Sequence, residues 1–259
     1  MRRYMNLPYA DRNPLLNVLD VYLPDEGSRF PVFLYFHGGG LVHANHKICG
    51  DPFVKFLIKN GVAVVSAAYH LFPCIKGQHH VKYPMFLEDA ADAVAWVKEH
   101  IGEYCEMERF FIGGSSNGAY LSAMLCLDKS WLGKHGFSPL DIDGFVHDCA
   151  QLTAHYAVLK EKGLAHNRVI IDESAPLFHV GTEEQYPPML FLASSQDGQT
   201  RLSQTKLMFT ALKNLGHKEP KVQFEVLQGT HCSHVSRVEE TGESVFGKKI
   251  LDFMQSQMA

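Results

Sequence analysis

The chain has 259 residues, 46% of them hydrophobic and 20% charged, with a net charge of −4 at pH 7. That size and core fraction suit a single α/β domain over 1–259, and the mild acidity excludes a protein built to hold nucleic acid or an anionic membrane surface. The N-terminal MRRYMNLPYADRNPLL lacks the apolar core of a secretory signal, and no window reaches the ~20 apolar residues of a membrane span, so a soluble cytoplasmic protein is expected.

Strand-like and helix-like patterns alternate along the chain, the mark of a mostly parallel sheet with helices on both faces. LLNVLDVYLP (15–24) and FPVFLYFHG (30–38) read as strands joined by the turn DEGS. DPFVKFLIKNG (51–61) has Asp at the N-cap, Pro at the first helical position and a closing Gly, which is helix punctuation. VAVVSAAY (62–69) is a continuous β-branched run, as in a strand buried on both faces. The stretch 84–102 sets Leu87, Ala90, Ala91, Val94, Val97 and Ile101 on one helical stripe. RFFIGG (109–114) is a strand and NGAYLSAMLCL (117–127) the helix after it. DGFVHDCAQ (143–151), MLFLAS (189–194) and KVQFEVL (221–227) are further strands; 201–216 and 243–255 are helices. Residues 152–188 fit the alternation poorly and read as a short insertion, a small cap beside the site.

The six cysteines are widely spread with no CxxC pair, so reduced thiols are expected rather than a disulfide framework or zinc site. His79 and His80 with His70 lack a carboxylate or Cys at ligand spacing and read as a surface loop. No metal or organic cofactor is expected.

Chemistry concentrates at FFIGGSSNGAY (110–120), a serine pair on a glycine-rich corner between strand and helix. A nucleophilic serine must be lifted off its backbone, and G-x-S-x-G on a sharp strand-to-helix turn does so. Gly114-Ser115-Ser116-Asn117-Gly118 fits with Ser116 as nucleophile. The register centred on Ser115 puts Asn117 where the second glycine belongs; Asn tolerates unusual dihedrals, so that register stays open. Upstream, FHGGG follows a strand, where consecutive glycines can aim N–H groups at an oxyanion; Gly39 and Gly40, joined by the N–H of Asn117, are the candidate donors. Asp197 in SSQDGQT follows one strand and QGTHCSH the next, completing the order Ser…Asp…His at strand C-terminal ends. His231 and His234 both lie on that last loop; His231 comes after the turn Gln228-Gly229-Thr230 and is the expected base. Cys232 sits on no such elbow and is not expected to act as a nucleophile. His147, His155 and Phe178 border the insertion and are candidates for the pocket wall.

On FHGGG, SAAYHLFPCIKGQHHVKYPMFLEDAADAVAWV, GGSSNGAYLSA, PPMLFLASSQD and the last strand with its histidine, the chain from about residue 15 onward resembles the α/β-hydrolase serine esterases, nearest to the hormone-sensitive-lipase-like group and its bacterial acyl-esterase relatives. Those enzymes write Tyr-Arg-Leu-x-Pro where this chain has His70 in the Arg place, and often carry Glu-Asp in the next helix, here Glu88-Asp89. The resemblance implies a Ser116–His231–Asp197 triad cleaving a small carboxylic ester through an acyl-enzyme. With only about 14 residues before the first strand, the family's larger N-terminal cap is not expected, and short or compact acyl groups are. An arylformamidase-type amide hydrolase, a catalytically inactive ligand-binding member of the fold and a homodimer are alternatives that the sequence leaves open.

Overall fold

The computed structural model describes residues 1–43, 46–72, 81–198 and 200–258. Eight strands form one sheet: β1 (Arg2–Pro8), β2 (Val18–Leu23), β3 (Arg29–Phe36), β4 (Ala63–Ala67), β5 (Glu106–Ser115), β6 (Gly144–Asp148), β7 (Met189–Gln196) and β8 (Val222–Thr230). Their spatial order is β1-β2-β4-β3-β5-β6-β7-β8, antiparallel at β1·β2 and β2·β4 and parallel elsewhere. The helices are α1 (Pro52–Lys59), α2 (Met85–His100), α3 (Asn117–Leu127), α4 (Ser130–Gly133), α5 (Tyr156–Glu161), α6 (Arg201–Asn214) and α7 (Val245–Met258). Among the described residues no helix is long and apolar enough to cross a membrane.

The period-2 alternation of each strand divides the core between the two faces. From β3, Val32, Leu34 and Phe36 join the α2 stripe of Leu87, Ala90 and Val94, and every residue of α3 is buried behind it. Phe33 and Tyr35 point the other way, onto Phe53 and Leu57 of α1 and Phe246, Ile250 and Phe253 of α7. All six residues of the expected α2 stripe are in the core.

As expected, DEGS joins β2 to β3, which are not neighbours in the sheet because β4 lies between. The expected start of the first strand changes. Residues 2–8 form the edge strand β1, whose mostly exposed side chains carry no apolar face to betray it. His70 proves structural: its Nδ1 and backbone N–H meet Asp89 Oδ2 at 2.6 and 2.7 Å. Arg12 brings a guanidinium to Asp89 Oδ1 at 2.7 Å, and Asn17 Nδ2 donates there at 2.9 Å. His79 and His80 lie outside the described residues.

The chain order reverses between β3 and β5. From β3 the chain steps outward through α1 to β4, then returns through α2 to β5 on the opposite side of β3. Phe36 pairs with Gly114 there, so the loops leaving β3 and β5 emerge side by side. Open α/β sheets assemble their sites at such a switch point.

Candidate active site

Ser116 is the corner between β5 and α3, at φ 58° and ψ −115°. A non-glycine residue in that region costs about 1–3 kcal/mol and persists only where the surroundings over-determine it. Here the surroundings are tight. A Cβ on Gly118 would lie 2.0 Å from the Phe36 carbonyl oxygen, and one on Gly114 would lie 2.4 Å from the Gly118 backbone. The two glycines that admit no side chain thus flank Ser116 in the G-x-S-x-G spacing. Ser115 ends β5 as a buried residue.

The β7 and β8 loops reach the same corner. Their ladder slips between Ser194 and Gln196, and such a bulge re-aims the residues beyond it. His231 Nε2 lies 2.8 Å from Ser116 Oγ, while Nδ1 lies 2.9 and 3.0 Å from the two oxygens of Asp197. The Asp197 side chain is 3% exposed and that of His231 38%. The Asp197 contact, with the neighbouring Cys149, raises His231 to about 9 against the opposing effect of burial.

His234 goes elsewhere. It occupies a short 3-10 turn, Ser233–Val235, fully buried, with Nε2 2.6 Å from Asp148 Oδ1. Burial pulls its pKa down, but the Asp148 carboxylate more than offsets this and the net shift is upward.

In the glycine loop, Gly39 and Gly40 both have positive φ. Gly40 departs from the expected oxyanion role, because its N–H donates to Asn117 Oδ1 at 2.6 Å. Asn117 Nδ2 donates in turn to the Tyr69 hydroxyl (2.6 Å), which donates to the His37 carbonyl. The Tyr156 hydroxyl donates to the Gly40 carbonyl. Among the described residues the Gly39 and Asn117 N–H groups make no hydrogen bond, and that of Asn117 opens the N-terminus of α3, where the helix dipole favours negative charge.

A cleft of about 570 Å³ covers the corner, lined by Tyr35, Gly38, Gly39, Gly40, Ser115, Ser116, Tyr156, Arg201, His231, Cys232, Val235 and Ser236. Two other clefts, beside Met1 and Phe30 and beside Pro52 and Val238, bring no such serine–histidine pair together. His147, His155 and Phe178 are absent from the lining. His147 is sealed in the core, 2.9 Å from Ser122 Oγ, and burial drops it to about 3. His155 caps α5 through Nδ1, and Phe178 is half exposed against His179.

Sequence reasoning missed Tyr156, Arg201 and Cys149. Tyr156 adjoins the singled-out His155, so only the helical phase separates them. Arg201 is buried, with Nη1 donating to the Cys149 carbonyl at 2.7 Å, and burial lowers its pKa. Cys149 follows β6 at φ 51° and Cys232 follows His231 at φ 53°. Their mutual proximity lowers Cys149 to about 7 and, together with burial, raises Cys232. No sequence signal joins residues so far apart.

Comparison with known proteins agrees with this architecture. A family model described as BD-FAE matches residues 19–135, and the prolyl oligopeptidase family model matches residues 78–259. Probable carboxylesterase 9 of Arabidopsis thaliana is 33% identical over 135 residues, 46% of this chain and 38% of that protein. Kynurenine formamidase of Danio rerio is 30% identical over 128 residues, 49% of this chain and 39% of that protein. The chain spans about a third to two-fifths of the length of the first curated relatives it matches. A solved truncated carbohydrate esterase from gut microbiota superposes with a TM-score of 0.76 at 18% identity, over 99% of this chain and 96% of that one. With its open, mostly parallel sheet and a family match running over residues 78–259, the chain belongs to the prolyl oligopeptidase family and has the α/β-hydrolase fold of the esterases.

Proposed function

We propose that the chain is a serine hydrolase of carboxylic esters, with Ser116 as nucleophile, His231 as base and Asp197 as its orienting acid. The observation that carries this reading is the continuous relay from Ser116 Oγ through the His231 ring to Asp197, at 2.8 and 2.9 Å. A base is useful within ~3 Å of the proton it takes. Ser116 Oγ attacks the ester carbonyl as its proton passes to His231 Nε2, and the carbonyl oxygen becomes an oxyanion. Gly39 and Asn117 N–H groups receive that charge, while Gly40 holds Asn117 and the loop in place. His231 then protonates the departing alcohol, leaving an acyl-enzyme on Ser116. Water, deprotonated by His231, reverses the sequence and releases the acid. Residues 152–188 act as a small cap within one catalytic domain, bringing Tyr156 over the cleft.

Amide cleavage of the arylformamidase kind is the second reading, favoured by the formamidase relative. It uses the same acyl-enzyme, with an amine as leaving group. Labelling with a fluorophosphonate probe and mapping the modified peptide tests the shared chemistry. Label on Ser116, lost in Ser116→Ala with a fall in turnover of about 10⁴-fold or more, is the expected result. Label on Ser115, or none, sinks the proposal. Turnover of a short acyl ester against an aryl formamide then separates the two readings.

A further inference from the structure

Beside the serine relay, the Sγ atoms of Cys149 and Cys232 and a ring nitrogen of His231 all lie within 4.8 Å of one another. Cys232 Sγ is 3.7 Å from His231 Nε2. A tetrahedral ion with metal–sulfur bonds of about 2.3 Å and a metal–nitrogen bond of about 2.0 Å holds its ligands roughly 3.5–3.8 Å apart. The three groups are therefore close to a ligating arrangement before any ion arrives. Two thiolates and an imidazole are a donor set for soft or borderline cations, not for Mg²⁺ or Ca²⁺. Both cysteines hold left-handed backbone conformations, where β6 ends and directly after His231, so the fold supports strain at each to place the sulfurs together.

We propose that Cys149, Cys232 and His231 form an inhibitory site for a soft divalent cation such as Zn²⁺ or Cd²⁺, which takes His231 Nε2 away from Ser116. Asp197 sits on Nδ1, fixing the N–H there and leaving the Nε2 lone pair outward. That carboxylate–histidine pairing also orients and strengthens metal-bound imidazoles. In the free protein the lone pair accepts the Ser116 proton; in the metal form it is a ligand, and a fourth position stays open to water. Binding releases to solvent the two thiol protons and any proton carried by Nε2, and the two thiolates balance the charge of the ion. His231 and Cys232 line the cleft, which provides the entry path, and Cys149 closes the site from behind. The neighbouring triplet of Asp148, Cys149 and His234 is no rival, because Asp148 and His234 already bind each other at 2.6 Å in a fully buried pair.

The inhibition half of this inference rests on His231 acting as base; the binding half does not. The experiment is a Cd²⁺ titration of the chelator-stripped full chain in oxygen-free buffer, followed by the ultraviolet thiolate-to-cadmium band and by ester hydrolysis. One strong equivalent is expected, in the wild type and in Ser116→Ala alike, with hydrolysis by the wild type falling in step and returning on addition of EDTA. Outer-shell partners alone are worth about 10–100-fold in metal affinity. In the double variant Cys149→Ser/Cys232→Ser the band should vanish, and the Cd²⁺ concentration that halves the variant's own rate should rise more than about 100-fold. Circular dichroism confirms that this variant is folded, and Cys232→Ser alone serves if it is not. A band or inhibition unchanged in the cysteine variants overturns the site. Cysteine-dependent binding without inhibition overturns only the silencing of His231.

Discussion

At the scale of single residues, two histidines on one loop differ in what each finds within reach. His231 reaches Asp197 and Ser116, whereas His234 turns inward to Asp148. His231→Ala should abolish turnover with little change in melting temperature. Breaking a buried ion pair costs about 3–5 kcal/mol, so His234→Ala should lower the melting temperature while fluorophosphonate labelling survives in the folded fraction. The reverse pattern would exchange their roles. The titration of His231 supplies a second test. Asp197 is the main cause of its rise to about 9, and a general base works only when neutral. In a pH–rate profile kcat/KM should therefore climb with pH through a midpoint well above the ordinary histidine value of about 6.5. Asp197→Asn should move that midpoint down as well as lowering the rate; an identical midpoint in both proteins would remove Asp197 from its assigned position. Ser116, Asp197 and His231 were legible because each follows a recognisable strand and the elbow glycines fix the register. The bond from Gly40 to Asn117 was not, since it depends on a side chain folding back across residues far apart in the chain.

At the scale of elements, the buried strands announced themselves through unbroken apolar runs, and α2 through its stripe. β1 did not, because an edge strand with Arg2 and Arg3 and mostly exposed side chains has no buried face to leave a period-2 trace. What anchors the adjoining segment is Asp89, which draws Arg12, Asn17 and His70 to α2. Burial opposes its charge, yet His70 and Arg12 more than compensate, and the pKa falls below the usual carboxylate value. A depressed carboxylate contributes stability that is present above about pH 4, the unfolded value, and is lost as pH falls through the folded one. Asp89→Ala should cost about 3 kcal/mol or more, read as a lower denaturant midpoint at pH 7. The difference from the wild type should narrow as the pH drops below 4. A gap that is constant with pH would show that packing, not charge, holds this junction.

At the scale of the whole molecule, the switch point decides where chemistry happens and the cleft above it decides on what. The β3 and β5 loops supply the glycine turn and the Ser116 corner, the β7 and β8 loops bring Asp197 and His231, and α5 brings Tyr156 to the rim. The resulting wall is short of aliphatic side chains: glycines, serines, two tyrosines, Arg201, His231 and Cys232, with Val235 the one aliphatic side chain in the lining. Each methylene moved from water to an apolar wall stabilises binding by about 0.8 kcal/mol. Where the cleft lacks an aliphatic channel and stays open to water, added methylenes remain hydrated and gain little of this. Transition-state binding should therefore stop improving after the first few acyl carbons. Across a series of p-nitrophenyl esters, kcat/KM should be highest between acetyl and butyryl and fall beyond, the loss appearing in KM and kcat together as longer chains misplace the carbonyl from Gly39 and Asn117. A maximum at eight carbons or longer would mean that an apolar acyl channel opens from this cleft, and the short-acyl specificity would have to be given up.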